Sequence, residues 1–142
     1  MMEFKERHNQ FLFDYIYEKT GVTRKQILSP LRKREVVDSR RLYMYVLRKY
    51  FGLTFIKIGQ MTLHDHSTIV AGCKKFEYLS SVYPKLTTLP YKDICFKLDM
   101  MRDTVDGQVE DLKEQIILIN QKIDKLITIK QLQNGRRKKL HS

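Results

Sequence analysis

The fold is decided by one stretch, Leu63-His64-Asp65-His66-Ser67-Thr68-Ile69-Val70-Ala71-Gly72-Cys73-Lys74-Lys75-Phe76. Ile69, Cys73 and Phe76 recur at the i, i+4 and i+7 spacing of one face of an α-helix. Asp65 is a natural N-cap for that helix, because its carboxylate can accept a hydrogen bond from a first-turn amide. A polar tip ahead of an apolar stripe is typical of the second helix of a helix-turn-helix, whose N-terminal side chains read base edges.

The segments before this helix have the order of a helix-turn-helix. The predicted helices cover residues 4–19, 24–28, 35–51 and 55–61, followed by the helix from Asp65. Gly52 breaks the long third helix, and Thr54 caps the short fourth one. The predicted buried stripe of the long helix consists of Ser39, Leu42, Tyr43, Val46, Leu47 and Tyr50. A long basic helix, a short helix, a turn and a polar-tipped helix together indicate this motif.

Basic side chains are concentrated beside these helices. The 142 residues carry a formal charge of +11 and a pI near 9.7. This charge points to a polyanionic partner, with nucleic acid first and an anionic membrane surface second. Arg34, Arg41 and Arg48 recur every seven residues and so share one face of the long helix. An ordinary solvated face would show the same pattern, but the excess of positive charge favours contact with phosphate.

Composition argues against several classes of protein. No window reaches the roughly 18 consecutive apolar residues of a membrane span, and the first residues lack the apolar core of a signal peptide. Two cysteines, Cys73 and Cys95, make no disulfide framework and indicate a reducing, cytoplasmic location. His64, His66 and Cys73 lack the spacing of a zinc site. We therefore expect no metal, no nucleotide or other cofactor, and no enzymatic activity.

The composition divides the chain into four predicted parts. Residues 1–81 form the helix-turn-helix domain, and residues 82–90, which hold two of the three prolines, form a linker. Residues 91–133 are predicted to be helical, with Gly107 as a point of interruption. Residues 134–142 are predicted to be a short, basic, disordered tail.

A heptad seam runs through the C-terminal helix. Val109, Ile116 and Ile123 fall at a positions, and Val105, Leu112, Ile119 and Leu126 fall at d positions. β-Branched residues at a positions favour a parallel two-stranded coiled coil, although isoleucine at a d position is also compatible with a trimer. We expect a homodimer through this helix. An antiparallel hairpin within one chain, bent at Gly107, is the alternative.

Two motifs in the first half carry a family resemblance. Arg34-Glu35-Val36-Val37-Asp38-Ser39-Arg40-Arg41-Leu42-Tyr43-Met44-Tyr45-Val46 is similar to the REVVxARQxAMYL stretch of the C-terminal DNA-binding domain of DnaA-type bacterial replication initiators. Ile58-Gly59, followed by Asp65-His66-Ser67-Thr68-Ile69-Val70, resembles that domain's IG…RDHTTV signature. The resemblance covers about residues 20–78. It does not extend to the initiators' ATPase module, since no G-x-x-x-x-G-K-[S/T] phosphate loop occurs in these 142 residues.

The resemblance implies an all-α, Trp-repressor-like bundle with the Asp65 helix in the major groove and the basic loop in the adjacent minor groove. By position, Asp65, His66 and Ser67 fall where the family reads bases, and Arg32 falls at its minor-groove arginine. Thr68, Arg40 and Arg48 fall at phosphate-contacting positions. The full set of expected phosphate contacts is Lys33, Arg34, Arg40, Arg41, Arg48, Thr68, Lys74 and Lys75.

Two departures from the family pattern bear on the DNA sequence recognised. The segment before Asp65 is shorter by one residue, with Leu63 and His64 in place of two glycines and an arginine. Ser67 lacks the methyl group with which a threonine can touch a thymine methyl. We therefore expect a related but altered DNA site.

These observations predict a sequence-specific double-stranded DNA-binding protein that reads the major groove with the helix from Asp65. Its setting is replication or transcription, with a phage or mobile element as one source. The alternative is a helical adaptor that recruits a protein through its C-terminal coiled coil and binds DNA without sequence preference.

Overall fold

A computed structural model describes residues 3–141, except for the side chains of residues 103, 105, 106 and 137–141. The described residues form α-helices and no strand, which confirms the all-α prediction. In chain order the helices are α1 (Glu6–Thr20), α2 (Arg24–Ile27), α3 (Arg34–Lys49), α4 (Phe55–Thr62), α5 (His66–Val82), α6 (Thr88–Asp103) and α7 (Val105–His141). The chain divides into two compact units, one that ends at Met100 and one that begins at Met101.

Helix α3 is the centre of the first unit. The predicted stripe is buried except for Tyr50, which is only half-buried, and Val36, Arg40 and Met44 are buried in addition. The Tyr43 ring stacks on Phe13 of α1 with centroids 4.7 Å apart, and the Tyr43 hydroxyl donates to Asn9 Oδ1 at 2.5 Å. Helices α1, α2, α4 and α5 all pack against α3. The long helix is therefore the scaffold on which the shorter helices are held.

The first unit extends further than predicted, because α6 is part of its core. Ile94 and Leu98 of α6 are fully buried. The Tyr15 hydroxyl of α1 donates to Asp93 Oδ2 at 2.7 Å. The predicted domain end at residue 81 and the predicted linker over 82–90 are thus corrected to a turn followed by a helix. Pro90 does not prevent this helix, because it lies in the first turn, where a backbone amide has no intrahelical partner.

The second unit consists mainly of α7, a helix of 37 residues that spans about 55 Å. The break before it lies at Thr104, and Gly107 marks its first turn. The Thr104 hydroxyl accepts a hydrogen bond from the Gly107 amide at 3.1 Å. Helix α7 continues to His141, so residues 134–141 of the segment predicted as a disordered tail are helical. No helix among the described residues combines the length and apolarity needed to cross a membrane.

Candidate nucleic-acid interface

Helices α4 and α5 form the helix-turn-helix, with a tight turn over residues 63–65. Leu63 ends α4 in the left-handed conformation, with φ 57° and ψ 34°. The His64 amide donates to the Gly59 carbonyl at 3.1 Å. A Cβ atom at Gly59 would lie 2.8 Å from the His64 carbonyl oxygen, so this close approach requires glycine. The contact between Gly59 and His64 therefore closes the turn, although the segment is shorter than in the family it resembles.

The back of α5 is buried as its spacing predicts. Ile69, Cys73 and Phe76 are all buried, and the Phe76 ring stacks on Tyr45 of α3 at 4.3 Å. Burial raises the pKa of the Cys73 thiol, so this cysteine stays protonated and acts as a small apolar side chain. Among the described residues, no three His, Cys, Asp or Glu side chains gather as a metal site would require.

The N-terminal tip of α5 presents the predicted base-reading side chains to solvent. Asp65 occupies the N-cap position with an extended backbone, as predicted, but its carboxylate makes no capping hydrogen bond. The Ser67 hydroxyl donates to Asp65 Oδ2 at 3.4 Å instead. Asp65, His66, Ser67 and Thr68 are exposed. The carboxylate is therefore available to a donor outside the chain.

An aromatic ring supports this tip from α4. The Phe55 ring meets His66 edge to face, with centroids 5.7 Å apart and planes inclined at 81°. The Arg48 guanidinium carbon lies 4.1 Å from the centroid of the same ring, and Arg48 Nη1 donates to the Leu53 carbonyl at 3.1 Å. Arg48 and His66 are thus held together through Phe55. Sequence analysis missed Phe55, because only its neighbours in space distinguish it from an ordinary boundary residue.

A groove between α3 and α5 brings together four of the predicted phosphate contacts. Arg40, Arg41, Thr68 and Lys75 line a depression of ≈ 450 Å³, together with Gly72. A Cβ atom at Gly72 would lie 3.6 Å from Met44 Sδ and 3.9 Å from Arg41 Cγ, so the two helices approach closely there. Arg41 also forms an ion pair with Asp38 at 3.7 Å. The groove is cationic at its rim and apolar at its floor.

Arg40 also lines this groove, but its guanidinium donates hydrogen bonds to backbone carbonyls. Only 8% exposed, it points towards α2 and the loop that follows. Its Nε donates to the carbonyl of Ile27 at 2.8 Å, and its Nη2 donates to the carbonyls of Ser29 at 2.6 Å, Leu31 at 3.0 Å and Gln26 at 3.3 Å. These bonds join α3 to the end of α2 and to the loop after it. We therefore do not retain the phosphate contact expected for Arg40.

The other predicted DNA contacts lie on the basic loop that Arg40 holds, at the start of α3 and on α5. Arg32 and Lys33 are exposed in the loop, and Arg34 is exposed at the first position of α3. On α5, Lys74 and Lys75 are exposed, and Lys75 Nζ lies 5.1 Å from the centroid of the Tyr78 ring. The cations are thus distributed over the loop, α3 and α5.

His64, in the turn, is half-buried. Burial lowers the pKa of its imidazole, and the positive charge of Arg40 lowers it further. Its Nε2 atom is buried and has no hydrogen-bond partner among the described residues. The turn therefore favours neutral His64.

Comparison with known proteins is consistent with this geometry. Residues 11–76 match the family described as the bacterial dnaA protein helix-turn-helix. Among relatives named chromosomal replication initiator protein DnaA, the one from Pseudothermotoga lettingae is 33% identical over 100 residues, which cover 70% of this chain and 21% of the relative. The relative from Thermomicrobium roseum is 40% identical over 53 residues, which cover 37% of this chain and 11% of the relative. The chain thus spans about a fifth or less of the length of these relatives.

Proposed function

Residues 11–76 are a DNA-binding helix-turn-helix domain of the bacterial DnaA family, and from this premise we propose that the chain is a sequence-specific binder of double-stranded DNA. It would act in the cytoplasm without catalysis, in replication or transcription, in a bacterial, phage or mobile-element setting. The single observation that carries the proposal is the exposed polar tip of α5, which Phe55 supports from α4.

Base reading is assigned to the tip of α5 and to the basic loop. Asp65 is a hydrogen-bond acceptor when ionised, so it selects the amino group of cytosine or adenine in the major groove. His66 and Ser67 read adjacent positions, and Arg32 enters the neighbouring minor groove. One helix reads few base pairs, and each correct pair adds about 1–3 kcal/mol of discrimination.

Phosphate contact is assigned to exposed and half-buried cations around the tip and to the Thr68 hydroxyl. The proposed contacts are Lys33, Arg34, Arg41, Arg48, Thr68, Lys74 and Lys75. The charges of the lysines and arginines supply affinity by displacing counterions from DNA, which makes binding depend steeply on salt. Arg40 instead acts as a positioning residue, because its bonds to the Ser29 and Leu31 carbonyls hold the loop that carries Arg32.

A parallel homodimer through α7 would join two such readers. The described seam side chains Val109, Leu112, Ile116, Ile119, Ile123 and Leu126 are 41–65% exposed in the single chain, and the side chain of Val105 lies outside the described residues. An intramolecular hairpin over this seam would bury them. In a parallel pair, the flanking g–e′ contacts are Gln108–Lys113, Gln115–Asn120 and Lys122–Ile127, none of which opposes like charges. Dimerisation adds affinity through the effective concentration of the second domain.

A second candidate function is a helical adaptor that recruits another protein. The observation that favours it is a set of exposed apolar side chains of α7 off the seam: Ile117, Leu118, Ile127, Ile129 and Leu132. Exposed apolar surface of this kind is used in protein interactions. An adaptor of this kind would bind DNA without sequence preference and would form a heteromer rather than a homodimer.

Selection from a randomised duplex library at two salt concentrations tests the proposal. A recovered motif, with two half-sites at a fixed spacing, is the expected result. Salt-sensitive binding of the full chain with no recovered motif would contradict sequence-specific recognition and would favour the adaptor. The Asp65→Ala chain serves as a control, since it should enrich a motif that is degenerate at one position.

A further inference from the structure

Leu63 is the most exposed large apolar side chain among the described residues, at 82%. It is also the one non-glycine residue with a positive φ in that part of the chain. The left-handed conformation is unfavourable for a residue with a Cβ atom, and glycine or asparagine commonly ends a helix in this way. A leucine here costs stability and buries almost none of its side chain. Strain of this kind, held in place by the surrounding structure, motivates a functional explanation.

The surroundings of Leu63 connect it to the proposed reading tip. Leu63 lines an open concavity of ≈ 420 Å³ together with Phe55, Ile56, Asp65 and His66. Ile56 is also exposed and stands seven residues before Leu63, where α4 begins. The concavity therefore places two exposed apolar side chains beside two of the proposed base-reading side chains.

We infer that Leu63 contacts the 5-methyl group of a thymine in the major groove and thereby determines specificity at one base pair. This inference rests on the proposed function. The thymine methyl is the apolar group that base pairs present in the major groove. A continuous patch with Asp65 and His66 brings Leu63 to the same groove as those residues.

Charge favours DNA over a protein as the occupant of this concavity. The guanidinium of Arg48 lies over the ring of Phe55, which lines the concavity, and the whole chain has a formal charge of +11. Cations beside an apolar contact suit a thymine flanked by phosphates. An apolar protein surface would instead desolvate these cations without neutralising them.

The test uses the full chain and the duplex recovered by selection. Each thymine is replaced in turn by deoxyuridine, which removes only the 5-methyl group, and affinity is measured by fluorescence anisotropy for the wild-type chain and for Leu63→Gly. We expect the wild type to lose about fourfold in affinity at one thymine, which corresponds to the burial of one methyl group. Leu63→Gly should lose nothing at that position, while its resistance to urea should equal or exceed that of the wild type.

Leu63→Asn is the matched control, because asparagine tolerates the left-handed conformation but offers a polar side chain. It should also lose the response to deoxyuridine. Equal losses on deoxyuridine for the wild type and Leu63→Gly at every thymine would overturn the inference, even if a motif is selected. Weaker binding of Leu63→Gly to all duplexes alike would also overturn it, since that would assign Leu63 to the turn alone. Failure to select any motif would overturn both this inference and the proposed function.

Discussion

The Phe55 ring meets the His66 imidazole edge to face, with ring centroids 5.7 Å apart. The same ring carries the Arg48 guanidinium at 4.1 Å. One aromatic side chain of α4 thus connects a proposed phosphate contact on α3 with a proposed base contact on α5. Because both proposed contacts depend on where this ring lies, we propose that Phe55 is a positioning residue for DNA recognition.

Replacing Phe55 with leucine should weaken binding to the selected duplex about two- to fivefold. Leucine retains most of the apolar volume but removes the ring face that attracts Arg48, an interaction worth about 0.5–1 kcal/mol at an exposed site. Discrimination should also fall at the base pair read by His66. Fluorescence anisotropy with the selected duplex and its single-base variants measures both effects.

Tyr78→Leu is the control for Phe55→Leu. It removes a ring beneath Lys75 on α5, with the cation 5.1 Å from the ring centroid. A loss of affinity and discrimination as large as that of Phe55→Leu would show that general cation–aromatic contact, rather than support of His66, explains the result.

Replacing Asp65 with alanine should relax base preference at one position by about 1–3 kcal/mol of discrimination. The salt dependence of binding should stay the same, because no phosphate contact is removed. Stability should change by less than about 0.5 kcal/mol, since the carboxylate makes no capping bond and meets only the Ser67 hydroxyl at 3.4 Å. Competition assays against single-base variants, at several salt concentrations, measure these quantities.

Arg48→Ala is the counterpart to Asp65→Ala. It should weaken binding to all duplexes alike and reduce the slope of log affinity against log salt by about 1. If both variants lose affinity equally on every sequence, the distinct roles of Asp65 and Arg48 are wrong.

Replacing Arg40 with lysine should lower the free energy of unfolding by about 2–4 kcal/mol. A lysine cannot reach four carbonyls with the planar donor geometry of a guanidinium, so buried acceptors would lose their partners. Urea denaturation measures the loss. Arg41→Lys, at a half-exposed neighbouring position, is the control and should change stability by less than about 0.5 kcal/mol.

The same Arg40→Lys chain separates positioning from phosphate contact. The folded protein should lose selectivity at the base proposed to be read by Arg32, while its salt slope stays the same. Unchanged stability together with an equal loss of affinity on every duplex would instead restore the phosphate role for Arg40, because lysine lacks the bidentate geometry of a guanidinium.

Folding stability should decrease as the pH falls below about 6.5, the usual pKa of histidine, because His64 has a lowered pKa in the folded chain. The unfolded chain then binds a proton that the folded chain binds only at lower pH, so protonation favours unfolding. Urea denaturation at pH 7.5 and 5.5 should show a smaller change for His64→Gln than for the wild type. His66→Gln, at an exposed position, is the control. An equal pH effect in His64→Gln and the wild type would show that protonation of His64 does not cause the loss of stability.

Replacing Ile119 with aspartate should dissociate the proposed homodimer, because a charge at a d position of the seam cannot be buried without a partner. Sedimentation equilibrium should show a monomer, and affinity for paired half-sites should fall to that for a single half-site. Leu118→Asp, the adjacent exposed apolar position off the seam, is the matched control and should remain dimeric. A wild-type chain that stays monomeric at every concentration would contradict the dimer.

The helices of the bundle follow from local signals. Thr23 and Thr54 accept hydrogen bonds from Gln26 and Lys57 amides, as N-caps do. The buried face of α5 follows from the spacing of three residues. Such signals are readable from the chain, because a cap or a helical period involves residues within about one or two turns.

The predicted domain end at residue 81 is wrong because the true boundary depends on contacts between residues far apart in the sequence. Pro84 and Pro90 are local signs of a linker, whereas the burial of Ile94 and Leu98 against the first unit depends on residues far away in the sequence. The Tyr15–Asp93 bond, for example, joins residues 78 positions apart. Local composition carries no information about such a contact.

By itself, the sequence determined the helical class, the helix-turn-helix and the identity of its polar tip, because caps, periodicity and charge act over short distances. Only the tertiary structure decided the direction of Arg40, the support of His66 by Phe55 and the exposed, left-handed state of Leu63. The guanidinium of Arg40 is able to donate hydrogen bonds either to a DNA phosphate or to backbone carbonyls nearby. The choice depends on which acceptors the fold leaves without partners, and that is a property of packing rather than of residue order.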